Sequence, residues 1–150
     1  QDESLEELLL TLGDIDGVRI FHRVRLSTGV VAETIAYSWQ RLLMIEFVPV
    51  MPGTSSLSWS GPTLMANGAG YPRALVTPPL NQVNAKALGC RSFDVLLVTP
   101  PGVTVSGSNP THVSVVSFPN MAHGVDQWAG EDRELNRRTM SKIWGSVVGS

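Results

Sequence analysis

The chain has 150 residues, of which 43% are hydrophobic and only 16% are charged, and its formal net charge is −2. This length suits one domain with a sizeable core, so we expect a single domain over 1–150. The slight negative charge argues against a protein whose chief task is to grip phosphates, because that task needs an excess of Lys and Arg. A surface with so few charges favours contact with other protein surfaces.

Cysteine content and hydropathy exclude further classes. The single cysteine, Cys90, cannot form an internal disulfide or a cysteine-based zinc site, and we expect a buried free thiol. No run reaches the roughly 18 apolar residues of a membrane span, so no membrane partner is expected. The opening residues also lack the basic region of a signal peptide.

The first predicted element is a short helix over 1–13, because apolar residues recur there at helical spacing: Leu5, Leu8, Leu9 and Leu12. The period then changes to two. In the stretch 18–26, the even positions are predicted to point inward and the odd positions outward. This arrangement gives a strand with a basic outer face of Arg19, Arg23 and Arg25. Such a face is either an ordinary solvated surface or a contact for nucleic acid or acidic neighbours.

Further strands follow along the chain. The apolar run 42–48 predicts a strand covered on both sides, and prolines at positions 49 and 52 end its pairing. Leu57 and Trp59 share one face of the next strand. A short strand around 73–77 and a helical turn near 83–88 come next. The stretches RSFDVLLVTPP and THVSVVSFPN predict two strong strands joined by a hairpin-like connection.

The tail reverts to helical character. A helix is predicted to begin at Glu131 or Asp132, with an apolar stripe that includes Leu135 and Trp144. The helical extension 128–150 either packs on its own domain or docks on a neighbouring subunit. Six or seven strands with helices only at the ends predict an all-β sandwich over 17–120. Parallel α/β folds are disfavoured, since no strand precedes a helix long enough to cross over.

Catalytic signatures are missing from the sequence, so it does not predict an enzyme. A nucleophile elbow, a P-loop and a dinucleotide fingerprint are all absent. His22 and His112 are interpreted as hydrogen-bonded structural residues. A minor alternative is a small hydrolase that assembles Ser117, His123 and Asp126.

Acidic residues raise the question of a metal. Asp14, Asp16 and Asp126 could supply oxygen ligands for calcium, although cap or turn roles are favoured because neither acidic cluster has a complete ligand set. No cofactor is expected, apart from the open alternative of calcium held between subunits.

The segment YSWQRLLMIEFVPVMPGTSSLSWSGP resembles a strand, corner and strand of the jelly-roll shell domain in coat proteins of small icosahedral positive-strand RNA viruses. These are of the tombusvirus, sobemovirus, luteovirus and tymovirus kind. The matching positions are Trp39, Arg41, Phe47, Pro49, Pro52, Thr54, Ser55 and Ser56. The stretch FDVLLVTPPGVTVSGSNPTHVSVVSF is similar to the last two strands of that domain, which run antiparallel. The resemblance spans about 17–120.

This resemblance implies an antiparallel jelly-roll sandwich that assembles with copies of itself into an icosahedral shell around viral RNA. The expected locations are the virion and, during assembly, the host cytoplasm. The acidic start departs from the basic arm usual in the family, so Arg19, Arg23 and Arg25 are the candidate RNA-facing residues. Candidate inter-subunit contacts are Leu5, Leu8, Leu9, Trp128, Leu135 and Trp144. The alternative function is a β-sandwich binding module that recognises carbohydrate or protein through its loops.

Overall fold

A computed structural model describes residues 10, 12–26, 29–67, 72–79 and 85–149. Within these ranges the chain forms nine strands and two complete α-helices. Leu10, Leu12 and Gly13 are also helical, at the end of the helix predicted over 1–13, whose other residues lie outside the described ones. The strands are β1 (Arg19–Arg25), β2 (Val31–Ser38), β3 (Arg41–Phe47), β4 (Ser56–Ser60), β5 (Thr63–Ala66), β6 (Arg73–Val76), β7 (Ser92–Thr99), β8 (Thr104–Ser106) and β9 (Val113–Ser117). The helices are α1 (Met121–Ala129) and α2 (Arg137–Trp144). The predicted helical turn is confirmed as a 3-10 turn at Ala85–Leu88.

The strands form two sheets. One sheet has five strands in the order β1-β2-β3-β7-β9, and the other has four in the order β6-β5-β4-β8. The chain leaves the five-stranded sheet after β3, builds β4 to β6 in the second sheet, and returns as β7. Because the return passes through the other sheet, β7 lies parallel to β3. The coarse prediction of a mostly β fold with two sheets and short helices is confirmed.

The predicted hairpin between the two strong late strands is wrong. They are β7 and β9, and they pair in parallel, with Val95 opposite Val113 and Thr99 opposite Ser117. The intervening strand β8 pairs with β4 in the second sheet instead. The corner Pro100–Pro101–Gly102 directs the chain across, and Val105 packs against the core there. The antiparallel arrangement expected for the late strands is therefore replaced by a crossover.

Two apolar cores cover both faces of the five-stranded sheet. The first lies between the two sheets and contains Tyr37, Leu42 and Leu97 of one sheet with Leu57 and Leu64 of the other. The second lies under α1, where Met121, Val125 and Ala129 pack on Leu43, Ile45 and Leu96. Burial on both faces explains the continuous apolar runs of β3 and β7. The interpretation of 42–48 as a doubly covered strand is confirmed.

The predicted alternation along β1 holds only in part. Arg23 has a φ of 55°, in the left-handed region. Before Arg23 the odd-numbered Phe21 points into the core between the sheets, and after it the even-numbered Val24 does so. Phe21, predicted to point outward, is 6% exposed, whereas His22, predicted to point inward, is exposed. Because both faces of the sheet are covered, an aromatic side chain at an odd position finds apolar contacts as readily as one at an even position.

The C-terminal helices differ from the predicted single helix. The first helix, α1, was not predicted, and the second begins at Arg137 rather than at Glu131 or Asp132. The cap is Asn136, whose side chain accepts a hydrogen bond from the backbone N–H of Thr139 at 3.1 Å. A side chain at this position satisfies one of the free N–H groups of the first turn, so the helix begins where that acceptor lies.

The residues after α2 run beside the outer edge of β1. Val147 forms an antiparallel bridge with Val24. The N–H of Arg25 donates to the carbonyl of Ser146, and the N–H of Val148 donates to the carbonyl of Arg23, both at 2.8 Å. This edge of the sheet is therefore partly closed by the chain itself.

Candidate functional site

An open groove lies between strand β1 and helix α2, and we call it the β1/α2 groove. It has a volume of about 420 Å³ and is lined by Arg19, Ile20, Phe21, Arg137, Met140, Ser141 and Trp144. Trp144 is 62% exposed, although its ring centroid lies only 6.4 Å from that of the buried Phe21. The helix is held from below by Ile143, which is fully buried. The groove thus presents an aromatic surface on a fixed support.

The two elements that border this groove carry charge of one sign. Strand β1 and helix α2 together carry six cations and no carboxylate, and all six side chains are exposed: Arg19, Arg23, Arg25, Arg137, Arg138 and Lys142. Among the described residues, no ion pair joins any of them to an acid. An anionic partner would therefore meet cations that are free to pair.

The structure places the three candidate RNA-facing arginines on the edge strand β1. Arg19 lines the β1/α2 groove, whereas the Arg25 guanidinium approaches the carbonyl of Gly29 at 3.5 Å. Exposure permits contact with a phosphate backbone. Their contact with RNA stays a prediction.

The candidate inter-subunit residues divide into three groups. Leu5, Leu8 and Leu9 lie outside the described residues. Trp128 is half-buried against the α1-side core, and Leu135 packs partly buried against the core between the sheets. Trp144 alone of the three described candidates is exposed. Contacts between subunits through these residues stay predictions.

Arg41 at the start of β3 fixes the end of α1. Its guanidinium donates to the carbonyl of Trp128 at 2.9 Å and to that of Ala129, and it lies 5.7 Å from the centroid of the Trp128 ring. The last carbonyls of a helix lack partners within the helix and carry partial negative charge, so a cation there stabilises it. This contact joins α1 firmly to the five-stranded sheet.

A second cleft, which we call the Asp94/His112 cleft, lies between β7, β9 and α1. The parallel register that sets Val95 opposite Val113 also brings the preceding residues, Asp94 and His112, side by side. Nδ1 of His112 lies 2.8 Å from Oδ1 of Asp94, and the indole N–H of Trp128 donates to Oδ2 at 3.1 Å. The carboxylate is therefore held from two sides and fixes the orientation of the imidazole ring.

His112 also carries backbone strain, since its φ is 69° although it is not glycine. The cleft has a volume of about 380 Å³, and Ser114 and Gln127 add polar groups to its lining. The interpretation of His112 as a hydrogen-bonded residue is correct as far as the Asp94 contact goes. The sequence did not reveal the cleft, because nothing in the residue pattern shows that β7 and β9 pair in parallel.

The candidate metal ligands do not converge among the described residues. No group of three or more His, Cys, Asp or Glu side chains is close enough there to hold an ion. The carboxylate of Asp126 pairs with Arg133 at 3.0 Å, and the same guanidinium donates to the backbone carbonyl of Asp16. Arg133 thus joins the two acidic segments, those of Asp14 and Asp16 and of Asp126. Calcium held between subunits stays a prediction.

The residues of the minor hydrolase alternative have other partners in the structure. The Ser117 hydroxyl accepts a hydrogen bond from the amide of Asn120 at 3.1 Å. Asp126 pairs with Arg133, as described above, and His123 is exposed on α1. Among the described contacts, none joins Ser117, His123 and Asp126 to one another. The geometry gives no support to a nucleophile and base acting together.

Glu46 on β3 is an acidic group at the margin of the core between the sheets. Its neighbours on the same face of the strand, Met44 and Val48, belong to that core. Its Oε2 atom is buried and has no hydrogen-bond partner among the described residues. Burial raises the pKa of the Glu46 carboxyl above its ordinary value of 4.5. The side chain lines a pocket of about 440 Å³ together with Glu33 and Thr77.

Comparison with known proteins does not assign the chain to a family. No family model, curated protein or solved structure matches the chain. In the part of the chain that the structure describes, no helix is long and apolar enough to cross a membrane.

Proposed function

We propose that this chain is a structural coat protein whose copies self-assemble into an icosahedral shell around an RNA genome, as part of a virion. The observation that carries the proposal is the β1/α2 groove, where Trp144 is 62% exposed beside the ring of Phe21. Large exposed aromatic side chains are enriched where proteins meet, because they bury much area at a low entropic cost. A chain with only 16% charged residues also loses little hydration when its surfaces are covered.

The proposal does not depend on the strand topology. A jelly roll pairs its strands antiparallel throughout, whereas three pairs here are parallel: β3 with β7, β7 with β9 and β4 with β8. Jelly-roll topology therefore stays a prediction of the sequence resemblance alone. The support that remains is the two-sheet body, its proline-rich corners and the exposed aromatic groove.

RNA is the proposed cargo of the shell. The chain as a whole is slightly acidic, but β1 and α2 together carry six exposed cations, of which Arg19 and Arg137 line the same groove. A local cationic face is sufficient for contacts with phosphates, because such contacts depend on nearby charges and are screened over about 10 Å at 0.1 M salt. Arg19, Arg23 and Arg25 are the proposed contributors from β1.

The test is size-exclusion chromatography with light scattering on the chain purified under native conditions, with absorbance read at 260 and 280 nm across the peak. A particle of many copies that carries nucleic-acid absorbance would support the proposal. Species of one or two chains, free of nucleic acid at every concentration, would contradict it. Replacing Arg19, Arg23 and Arg25 with serine should lower the 260 nm signal of the particle, and an unchanged signal would remove these residues from the RNA contact.

A second candidate is a β-sandwich module that binds a polyhydroxylated ligand such as a carbohydrate, and the Asp94/His112 cleft favours it. The cleft presents a carboxylate, an imidazole, a hydroxyl and an amide in about 380 Å³, a mixture that can accept and donate hydrogen bonds to hydroxyl groups. Binding to an immobilised glycan panel that is lost in His112→Ala and kept in His123→Ala would support this function. No binding by the unaltered chain would contradict it.

A further inference from the structure

Among the described residues, the lining of the β1/α2 groove combines cations with apolar side chains and includes no acidic side chain. Its rim carries Arg19 and Arg137, and its floor is formed by Phe21, Met140 and Trp144. Phe21 and Met140 pack in the core between the sheets, so their positions are fixed and they cannot move to cover Trp144. An occupant must supply both carboxylates for the rim and apolar side chains for the floor.

Residues 1–9 of the chain have this combination. The segment QDESLEELL contains four carboxylates, at Asp2, Glu3, Glu6 and Glu7, and no cation. It therefore carries a charge of −4 in a chain of net charge −2, so the rest of the chain carries +2. Residues 1–9 are thus acidic, whereas β1 and α2 hold six of the basic residues and no acidic one.

The same segment supplies the apolar side chains. The spacing of Leu5, Leu8 and Leu9 is the one that places side chains on one side of a helix. Leu10, which follows them, is 73% exposed. At Leu10, therefore, the domain leaves a large apolar side chain uncovered.

The groove of a second copy suits this segment better than the groove of the same chain. Leu12 is fully buried in the core under α1, on one face of the five-stranded sheet. Phe21 and Met140 of the groove belong to the core on the opposite face. To reach its own groove, the segment would have to pass around the β1 edge, along which residues 146–148 already run.

We propose that residues 1–9 of one copy bind the β1/α2 groove of a second copy, with their carboxylates paired to Arg19 and Arg137 and their leucines covering Trp144. This inference rests on the proposed self-assembly and names one of its contacts. Each copy offers one segment and one groove, so the contact is heterologous and can link many copies. Because it depends on exposed charges, it weakens as salt concentration rises.

The main test uses two charge-reversed chains at full length. One carries Glu6→Arg and Glu7→Arg in the segment, and the other carries Arg19→Glu and Arg137→Glu in the groove. Each chain alone then opposes like charges, and we expect about a tenfold higher concentration to be needed for assembly. In an equal mixture, each segment meets a groove of opposite charge, so assembly should return. Arg91→Glu, an exposed reversal outside the groove, is the matched control.

The outcomes separate the alternatives. Restored assembly in the mixture supports contact between copies. Assembly by one chain that carries all four reversals, without restoration in the mixture, would place the segment in its own groove and overturn the inference. If the unaltered chain assembles and neither reversed chain differs from it, the inference fails while the proposed function stands. If the unaltered chain never assembles, the proposed function itself fails.

Nucleic acid is the competing occupant of the same cations. If the groove reversal lowers only the nucleic-acid absorbance of the particle, and the segment reversal changes nothing, then the groove binds RNA and the inference is overturned.

Cross-linking checks the contact without reversing any charge. Leu8→Cys and Ser141→Cys are placed on separate chains and mixed under oxidation, and native Cys90 is only 2% exposed and does not compete. A disulfide between the two different chains is expected. Its absence in assembled particles would contradict the contact. Moving the second cysteine to Ser106, on β8 and outside the groove, serves as the control.

Discussion

Glu46 gives a sharp test of the energetics at the margin of the core. Its Oε2 atom is buried and has no hydrogen-bond partner in the described part of the chain, and its strand neighbours Met44 and Val48 lie in the core between the sheets. An ionised carboxylate held there loses hydration that no hydrogen bond replaces, which costs on the order of 1 kcal/mol or more. Glu46→Gln keeps the shape and removes the charge, so we expect it to raise the free energy of unfolding by about 1 kcal/mol at pH 7.

The sign of the pH dependence follows from the same burial. The pKa of Glu46 is raised in the folded chain above its ordinary value of 4.5, so the folded state holds the proton more tightly than the unfolded state. Stability from this group is complete below pH 4.5 and is lost as the pH rises through the folded-state pKa. The glutamine variant has no such proton to lose. Its advantage should therefore be small near pH 4 and grow toward neutral pH.

The assay is urea unfolding of the unassembled chain, followed by tryptophan fluorescence between pH 3.5 and pH 8. Glu33→Gln is the matched control, because Glu33 lines the same pocket with an exposed side chain, and it should change stability little at any pH. A Glu46→Gln variant that is less stable than the unaltered chain at pH 7, or whose difference does not vary with pH, would refute the reasoning.

Three further predictions address packing, reactivity and backbone geometry. Arg41→Met should lower the free energy of unfolding, measured in urea, by about 2 kcal/mol, because two helix-end carbonyls lose a charged donor. An unchanged free energy of unfolding would show that these hydrogen bonds do not stabilise the fold. Burial raises the pKa of Cys90 to about 11, two units above 9.0. Alkylation at pH 8 should therefore be about 100-fold slower than in the unfolded chain, and equal rates would show an accessible thiol. Gly17→Ala should cost about 2 kcal/mol or more by urea unfolding, because its φ is +71° and the new Cβ meets Arg133. Gly53→Ala, with a φ of +89° and open space, should cost less, and equal costs would exclude the clash.

The sequence was most informative where a pattern has a local cause. The run 42–48 showed a strand covered on both faces, because only such a strand can bury every side chain. The 3-10 turn at Ala85–Leu88 was also found from nearby residues. The mostly β character follows from many short segments of this kind, each of which can be identified separately.

The rest depended on contacts between distant residues. Whether β7 and β9 pair in parallel is decided by β8, which finds its partner β4 about 50 residues earlier in the chain. The Asp94/His112 cleft exists only because of that pairing. Helix α1 was missed because its start has no side-chain cap, as the hydrogen bonds of Asn120 show. Arg23 reverses the faces of β1 through a backbone angle that no residue pattern displays.

The closure of the β1 edge bears on the order in which the molecule is completed during synthesis. The residues that line this edge, 146–148, lie more than 120 positions after their partners Arg23, Val24 and Arg25. While the ribosome is still making the intervening sheets, the amide groups on that side of β1 have only water to bind. A nascent chain therefore carries an open strand edge until these residues emerge, and in that interval it is most exposed to pairing with another unfinished chain.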